Sequence, residues 1–268
     1  MVNFATAPAQ VSDPPDLTAA LVEVFSAIQG EGLNVGTRQI FIRFGICDLR
    51  CRFCDSAHTW KPSQTCQIER SPGERDFLTA NNPVTSQQLL DWVNQQNQPG
   101  LHDSISLTGG EPLLHAEFLA QFLPLVRDRT GLPIYLETAG HLPLLLQPIL
   151  PYLDAVGMDI KLPSVSGESH WSAHSEFLRC CHSAKLEVFC KLIVSAQTQT
   201  SDLVQARQLV AEVHPAIPVF LQPVTPLGTA KDLTAPRPEQ VLAWQALMKA
   251  NLKSVRVIPQ THKAIGQL

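Results

Sequence analysis

The stretch "CDLRCRFC" at residues 47–54 sets Cys47, Cys51 and Cys54 in a Cys-x3-Cys-x2-Cys spacing, directly after the apolar run "IFIRF" at 40–44. Thiolates are the standard ligands of iron–sulfur centres, and a loop of this form wraps such a cluster. Three cysteines around a four-iron cluster leave one iron without a protein ligand. An open coordination position is what separates a catalytic metal site from a closed structural one. The competing reading is a zinc ion completed by a distant histidine, for which nine histidines are available and His58 lies close. The spacing is not the paired Cys-x2-Cys of zinc ribbons and fingers, which favours the cluster. Cys66, Cys180, Cys181 and Cys190 share no ligand-like spacing. Cys190, inside "EVFCKLIV", reads as a small core hydrophobe, and Cys180 and Cys181 as the close of a helix.

The chain around this loop has 268 residues, 44% of them hydrophobic and 16% charged, with a formal net charge of −4. That length suits one α/β-barrel-type domain or two small ones. The acidic balance gives no basic field for gripping nucleic acid directly, and no apolar run approaches a membrane span. Residues 1–20, "MVNFATAPAQVSDPPDLTAA", lack the charged start and apolar heart of a signal peptide and read as a mobile arm. Seven cysteines, an odd number, argue against a disulfide framework and for a cytoplasmic setting.

The elements that must position the loop follow from the pattern of apolar runs. Strands are expected at 40–44, 104–108, 133–138, 155–161, 188–194, 218–222 and 254–258, and helices near 85–97, 113–129, 168–182, 201–213 and 238–250. The helix at 85 opens "TSQQ", a capping box. Strands alternating with helices argue for a parallel sheet, because parallel neighbours need crossovers. Six or seven βα units fit an open or partial barrel better than a complete eight-unit one. Polar residues gather at one end of these strands: Cys47, Gly109-Gly110-Glu111, Glu137-Thr138, Asp159, Lys161 and Gln222. One site beyond the carboxyl ends of the strands is therefore expected. The polar segment 61–84 stands outside this rhythm and reads as an insertion or lid within a single domain spanning 21–268.

The cysteine loop, with Phe53 just before its third cysteine, resembles the signature of the radical S-adenosylmethionine (SAM) enzymes, and "TGGEP" at 108–112 resembles their glycine-rich motif. The resemblance implies an α/β fold, a partial (β/α)6-type radical SAM barrel with an N-terminal extension and an insertion after the cluster loop. It implies one [4Fe-4S] cluster per subunit, with SAM on the open iron cleaved to methionine and a 5′-deoxyadenosyl radical. The glycines are expected to let backbone approach the SAM amino group, with Glu111 shaping the loop. The flanks "FSAIQGEGLNVGTRQIFIRFGICDLRCRFCDSAHTW", "ETAG", "DIKLPS", "LQPVTP" and "RVIPQTHKAIGQL" resemble the 7-carboxy-7-deazaguanine synthase family over most of 21–268. This family converts 6-carboxy-5,6,7,8-tetrahydropterin to 7-carboxy-7-deazaguanine with release of ammonia, in queuosine biosynthesis. It uses Mg²⁺ and is a homodimer.

Carried onto this sequence, the resemblance implies substrate contacts at Ile28, Gln29, Gly30, Arg43, Thr108 and the C-terminal carboxylate of Leu268, with His262 in the same tail. Arg43 offers a planar guanidinium that grips a carboxylate bidentately. SAM contacts are implied at Phe53, Cys54, Asp55, Gly110, Asp159, Ile160, Lys161, Gln222, Pro223, Val224 and Thr225, and a Mg²⁺ ligand at Ser56, where many relatives have Thr. "ETAG" departs from the more usual Asn in its third position, so Ala139 is given no ligand role. The expected partners are the pterin substrate and a flavodoxin- or ferredoxin-type electron donor, the latter docking on the 61–84 insertion. Two alternatives stand beside this reading. A glycyl-radical-enzyme activase shares the cysteine spacing but needs a groove for a protein loop. A non-catalytic metal-stabilised binding module predicts a fourth protein ligand.

Overall fold

Every apolar run forms a strand, and the alternation of residues along each strand decides what faces the interior. In the computed structural model, which describes residues 17–225 and 233–267, the strands are, in chain order, β1 (Thr18–Ala19), β2 (Leu21–Ile28), β3 (Arg38–Phe44), β4 (Thr65–Glu69), β5 (Phe77–Asn81) and β6 (Val84–Thr85), then β7 (Ser104–Gly109), β8 (Ile134–Thr138), β9 (Ala155–Asp159), β10 (Glu187–Val194), β11 (Val219–Pro223) and β12 (Val255–Val257). The α-helices are α1 (Ser86–Gln96), α2 (Ala116–Thr130), α3 (Pro143–Leu146), α4 (Pro163–Ser166), α5 (Trp171–Ser183), α6 (Thr200–Val213), α7 (Pro238–Lys249) and α8 (Thr261–Ala264). Helix α1 starts on the expected capping box, Thr85 Oγ1 accepting from Gln88 N while the Gln88 side chain accepts from Thr85 N.

The main sheet runs β12-β11-β10-β9-β8-β7-β3-β2-β4-β5. From β3 to β12 all neighbours are parallel and follow chain order. Unreversed order with right-handed crossovers puts the helices on one face and curls the sheet around the other. Among the described residues β12 and β5 end the sheet without pairing to each other, so the barrel is partial. The outer face carries Ile40, Ile42, Phe44, Ile105, Leu107, Leu136, Val156, Leu192 and Val194, all buried in one core with Leu89 and Val93 of α1, Phe118 and Phe122 of α2 and Phe177 of α5. Cys190 belongs to that core, and Cys180 and Cys181 sit in the last turn of α5, as the sequence suggested.

Residues of opposite parity face inward. In the pairs Phe41/Arg43, Tyr135/Glu137 and Phe189/Lys191 a charged side chain lies two residues C-terminal to an aromatic one, and in Gly157/Asp159 it follows a glycine at the same spacing. All eight line a common cavity. The period of two in a strand turns this alternation into two layers, an aromatic floor under a charged rim.

Two expectations need correction. Segment 61–84 is not a lid: none of its residues lines the cavity. Its β4 pairs parallel to β2, and its β5 closes an antiparallel hairpin on β4, extending the sheet. The reason is buried apolar anchors, Cys66, Ile68 and Val84, which the polar composition of the segment masks. Thr18 and Ala19, counted with the arm from sequence, instead pair antiparallel with Thr85 and Val84. Residues 1–16 lie outside the described residues.

Candidate active site

The cavity, about 520 Å³, opens at the carboxyl ends of the parallel strands. Cys47, Cys51 and Cys54 all line it. The chain leaves β3 through Ile46, whose φ of +72° is the left-handed region, an outlier for a β-branched residue. Two hydrogen bonds hold that turn, Ile46 N to Thr59 O at 2.7 Å and Glu111 N to Ile46 O at 2.9 Å. The loop beyond it lies on the segment after β9: Arg52 N donates to Ser166 O (3.0 Å), the Arg52 guanidinium to Ser164 O (2.9 Å) and Arg50 N to Glu168 Oε1 (2.8 Å).

No disulfide joins the three cysteines. Burial pushes all three thiols up, Cys51 to about 12, so that without a cation they are neutral. Metal coordination reverses this, since a bound thiol is deprotonated outright. Among the described residues no three His, Cys, Asp or Glu side chains converge as a single-ion shell requires. Three thiols that line one cavity without converging on a point suit a multi-iron cluster, whose ligands attach to separate irons, better than the zinc alternative.

Gly109 and Gly110 line the cavity, and the motif also has a packing task. A Cβ on Gly110 would lie 2.1 Å from Ile46 O, and one on Gly109, where φ is +118°, 2.3 Å from Phe44 O. These glycines let the end of β7 press on the root of the cysteine loop, sealed by Gly110 N to Phe44 O at 2.9 Å. Glu111, 1% exposed, does not line the cavity. It accepts from Leu113 N (3.1 Å), Thr138 Oγ1 (2.8 Å) and Ala139 N (2.9 Å), fastening the "ETAG" turn to the motif. Burial raises its carboxyl above the usual range despite these donors and His141 nearby.

The rim carries interlocked charges. Lys191 Nζ bonds Glu31 and stands 3.9 Å from Asp159 Oδ2, which pairs with Lys161 at 2.9 Å. Burial opposes ionisation of both lysines, yet Glu31 and then Asp159 at Lys191, and Asp159 at Lys161, outweigh it and raise them. Glu31 is held low: burial pushes it up, but Lys191 and Gln260 overcome that. Glu137 is the opposite case, raised by burial with only partial relief from Lys191. Arg43 gives Nε to Glu23 at 2.6 Å, packs over Phe25 and lines the cavity.

Gln29 does not hold a free amide toward the cavity. Its Nε2 donates to Glu137 Oε1 (2.6 Å) and Gln39 Oε1 (3.1 Å), and its Oε1 accepts from Glu31 N (3.0 Å). Thr108 Oγ1 donates to the other Glu137 oxygen at 3.0 Å. Both side chains orient Glu137. Ile28, Gly30, Phe53, Asp55, Ser56, Asp159, Lys161 and Gln222 to Thr225 all line the cavity as expected. Ile160 does not: its side chain is fully buried in the outer core, and its N–H bonds Lys191 O at 2.9 Å. It follows the last inward residue of β9, so alternation turns it outward. Leu268 lies outside the described residues.

The tail closes the cavity from the side of Gly30. Thr261 N and Oγ1 both donate to Gly30 O, and His262 packs so tightly that a Cβ on Gly30 would lie 2.1 Å from its ring. Gln260 Nε2 bridges Glu31 Oε1 (2.7 Å) and Asp55 Oδ2 (3.0 Å), and Lys263 meets the same Asp55 oxygen at 3.2 Å. These partners hold Asp55 at about 2 against the pull of burial. Ser56 Oγ donates to Asp55 Oδ1 at 3.1 Å, so a hydroxyl and a carboxylate oxygen sit together at the cavity edge. A hard cation with few protein ligands fits such a pair.

Sequence reasoning missed Glu23, Glu31, Lys191, Gln260 and Lys263, and named Glu137 only as a strand-end residue. Lys191 and Glu137 were signalled by charge inside otherwise apolar strands. Glu31, Gln260 and Lys263 lie in loops or the tail, where charge is ordinary.

A family model described as the radical SAM superfamily matches residues 41–185. The 7-carboxy-7-deazaguanine synthase of Geobacter sulfurreducens is 43% identical over 253 residues, covering 93% of this chain and 98% of that one. The enzyme of the same name from Methanothermobacter thermautotrophicus is 32% identical, covering 93% and 98%. Among solved structures, QueE from Escherichia coli superposes with a TM-score of 0.57 at 20% identity, covering 91% and 94%. SuiB of Streptococcus suis bound to S-adenosylmethionine gives a TM-score of 0.55 at 11% identity over 82% of this chain and 51% of that one. At those identities the structural likeness speaks for the fold alone. Membership of the radical SAM superfamily brings a [4Fe-4S] cluster and SAM, and the cluster is the group that the three cavity-lining thiols fit. With the cysteine loop and the glycine motif inside the matched family model, and relatives 43% and 32% identical over 93% of this chain and 98% of their own length, the chain belongs to the 7-carboxy-7-deazaguanine synthase family of radical SAM enzymes.

Proposed function

We propose that this chain contracts 6-carboxy-5,6,7,8-tetrahydropterin to 7-carboxy-7-deazaguanine, releasing ammonia, in 7-deazapurine biosynthesis. The observation that carries the reading is that Cys47, Cys51 and Cys54 line the same cavity as Arg43 and Glu137. When bound, the cluster and SAM supply a hydrogen-abstracting radical; the protein supplies binding, orientation and exclusion of water. Arg43 keeps terminal nitrogens for the substrate carboxylate, because Glu23 takes only Nε. Glu137, oriented by Gln29 and Thr108, accepts from the donor-rich edge of the pterin. Phe41, Tyr135 and Phe189 form an apolar floor that sets the plane of the ring. Lys161 and Asp159 lie on the cysteine side and serve SAM. Ser56 supplies the Mg²⁺ hydroxyl ligand, with Asp55 beside it, and the carboxylate of Leu268 caps the substrate.

The activase reading asks for a groove open to a protein loop. Gln260, His262, Lys263 and Gln267 of the tail instead line the cavity, which favours a small substrate. We further assign a flavodoxin- or ferredoxin-type donor, a homodimer and the cytoplasm. No helix among the described residues is long and apolar enough to cross a membrane. The test is anaerobic reconstitution followed by dithionite, SAM, Mg²⁺ and 6-carboxytetrahydropterin, with mass spectrometry for 7-carboxy-7-deazaguanine. Product that is lost in Cys51→Ala supports the assignment. 5′-Deoxyadenosine without product would keep the radical chemistry and overturn the substrate.

A further inference from the structure

The cysteine loop and the glycine motif come from different strands, yet one side chain outside the cavity joins them. His141 follows the "ETAG" turn and does not line the cavity. Its side chain is 4% exposed, and Nε2 lies 3.0 and 2.9 Å from the two oxygens of Asp48, the residue after Cys47. On its other side Nδ1 stands 3.9 Å from Glu111 Oε2 and has no hydrogen-bond partner. His170 packs against the ring at 5.2 Å between centroids and fixes its plane.

These contacts close a circuit. Asp48 is held by His141; the "ETAG" turn just before His141 is held by Glu111 through Thr138 and Ala139; and Glu111 N returns to Ile46 O, one residue before Cys47. Each step around the circuit is a hydrogen bond or one to three residues of backbone. The Asp48 carboxylate is 41% exposed, so its bond to a buried imidazole adds little to core packing. What it does fix is the direction in which the loop leaves Cys47. We propose that His141 is a positioning residue that locks the three-cysteine loop to the glycine motif, so that the thiols and the SAM-facing backbone of Gly110 keep one relative placement. The inference rests on the cluster assignment above. It adds a residue that touches neither cluster nor substrate.

The test compares cluster-loaded parent protein with His141→Phe, which keeps an aromatic ring without a donor, and His141→Gln, whose amide nitrogen reaches about as far as Nε2. Cluster retention is read as the half-time of the charge-transfer absorbance under an iron chelator. The placement of SAM is read from the EPR signal of the reduced cluster with and without SAM. His141→Phe is expected to lose iron about tenfold faster, the worth of a charge-assisted hydrogen bond, and to show an altered SAM-induced spectral change. His141→Gln should return both readouts to within about twofold of parent, which a purely space-filling histidine would not do. Asp48→Ala, at an exposed position, removes the same bond if the Phe variant folds poorly, and is expected to match it. Parent-like iron loss and spectra in both His141→Phe and Asp48→Ala would overturn the proposal, as would a Gln variant no better than Phe. Failure of the parent to form a cluster at all would defeat the cluster assignment instead, so the two failures are distinct.

Discussion

Replacing Lys191 by Met removes the cation at the centre of the cavity rim while keeping an unbranched apolar stem. Lys191 and Glu31 side chains are 17% and 15% exposed, and Asp159 is the next carboxylate at 3.9 Å. Breaking a buried pair by removing one partner costs about 3–5 kcal/mol. Glu31 Oε1 keeps donors from Gln222 and Gln260 at 3.0 and 2.7 Å, which puts Lys191→Met near the lower end, about 3 kcal/mol at pH 7. The cost must depend on pH. In the parent Glu31 is held low, so its contribution is full above the ordinary carboxyl pKa and is lost as pH falls through the lowered value. In the variant burial acts without its main counterweight and raises Glu31. Its contribution is then full below the ordinary pKa and is lost as pH rises through the raised value. The gap between parent and variant should therefore shrink from pH 7 toward pH 4.5, by up to about 1.4 kcal/mol per pH unit. Urea unfolding of the metal-free chain under reductant, followed by far-UV circular dichroism, measures it. An equal cost at pH 5 and pH 7 would refute the electrostatic account and leave packing.

Three further outcomes follow from named contacts. Gly110→Ala sets a Cβ 2.1 Å from Ile46 O, and because a misplacement of about 1 Å costs roughly a hundredfold in rate, turnover should fall by about that factor, checked by single-turnover 5′-deoxyadenosine formation. Arg43→Lys keeps charge but loses the planar fork, so KM for the carboxylated pterin should rise about tenfold, while a substrate analogue lacking the carboxylate is handled equally by both proteins. Ser56→Ala should raise the Mg²⁺ concentration needed for half-maximal turnover by roughly tenfold, with Ser56→Thr close to parent in the same titration.

Which parts of the molecule were legible follows from how they are encoded. All seven parallel strands were readable, because each is an apolar run buried on its outer face and the crossover helices leave a clear break between runs. The cysteine loop was readable because its chemistry is local in sequence. The β4–β5 hairpin was not. Its pattern of burial has only a few apolar anchors among polar residues, and its pairing partner β2 lies some forty residues away. Gln29 shows the limit at the site: its identity pointed to a polar edge, but its amide is spent on Gln39 and Glu137, which only the fold brings near. Ile160 shows the same limit in reverse, since a motif match gives proximity along the chain and strand parity decides the face.

The alternating charges of the rim have a consequence for how reactants arrive. Glu31, Lys191, Asp159 and Lys161 form a chain of opposite charges in which each neighbour lies within 3.9 Å of the next. Their fields cancel a few ångströms outside the cavity mouth, and the chain as a whole carries a net charge of only −4. An anionic pterin or a cationic sulfonium therefore meets no long-range attraction on approach. Capture should proceed at the unsteered rate of an ordinary encounter and change little with ionic strength. Discrimination between ligands is left to the moment of contact, when a guest must match the sign of each rim charge in turn.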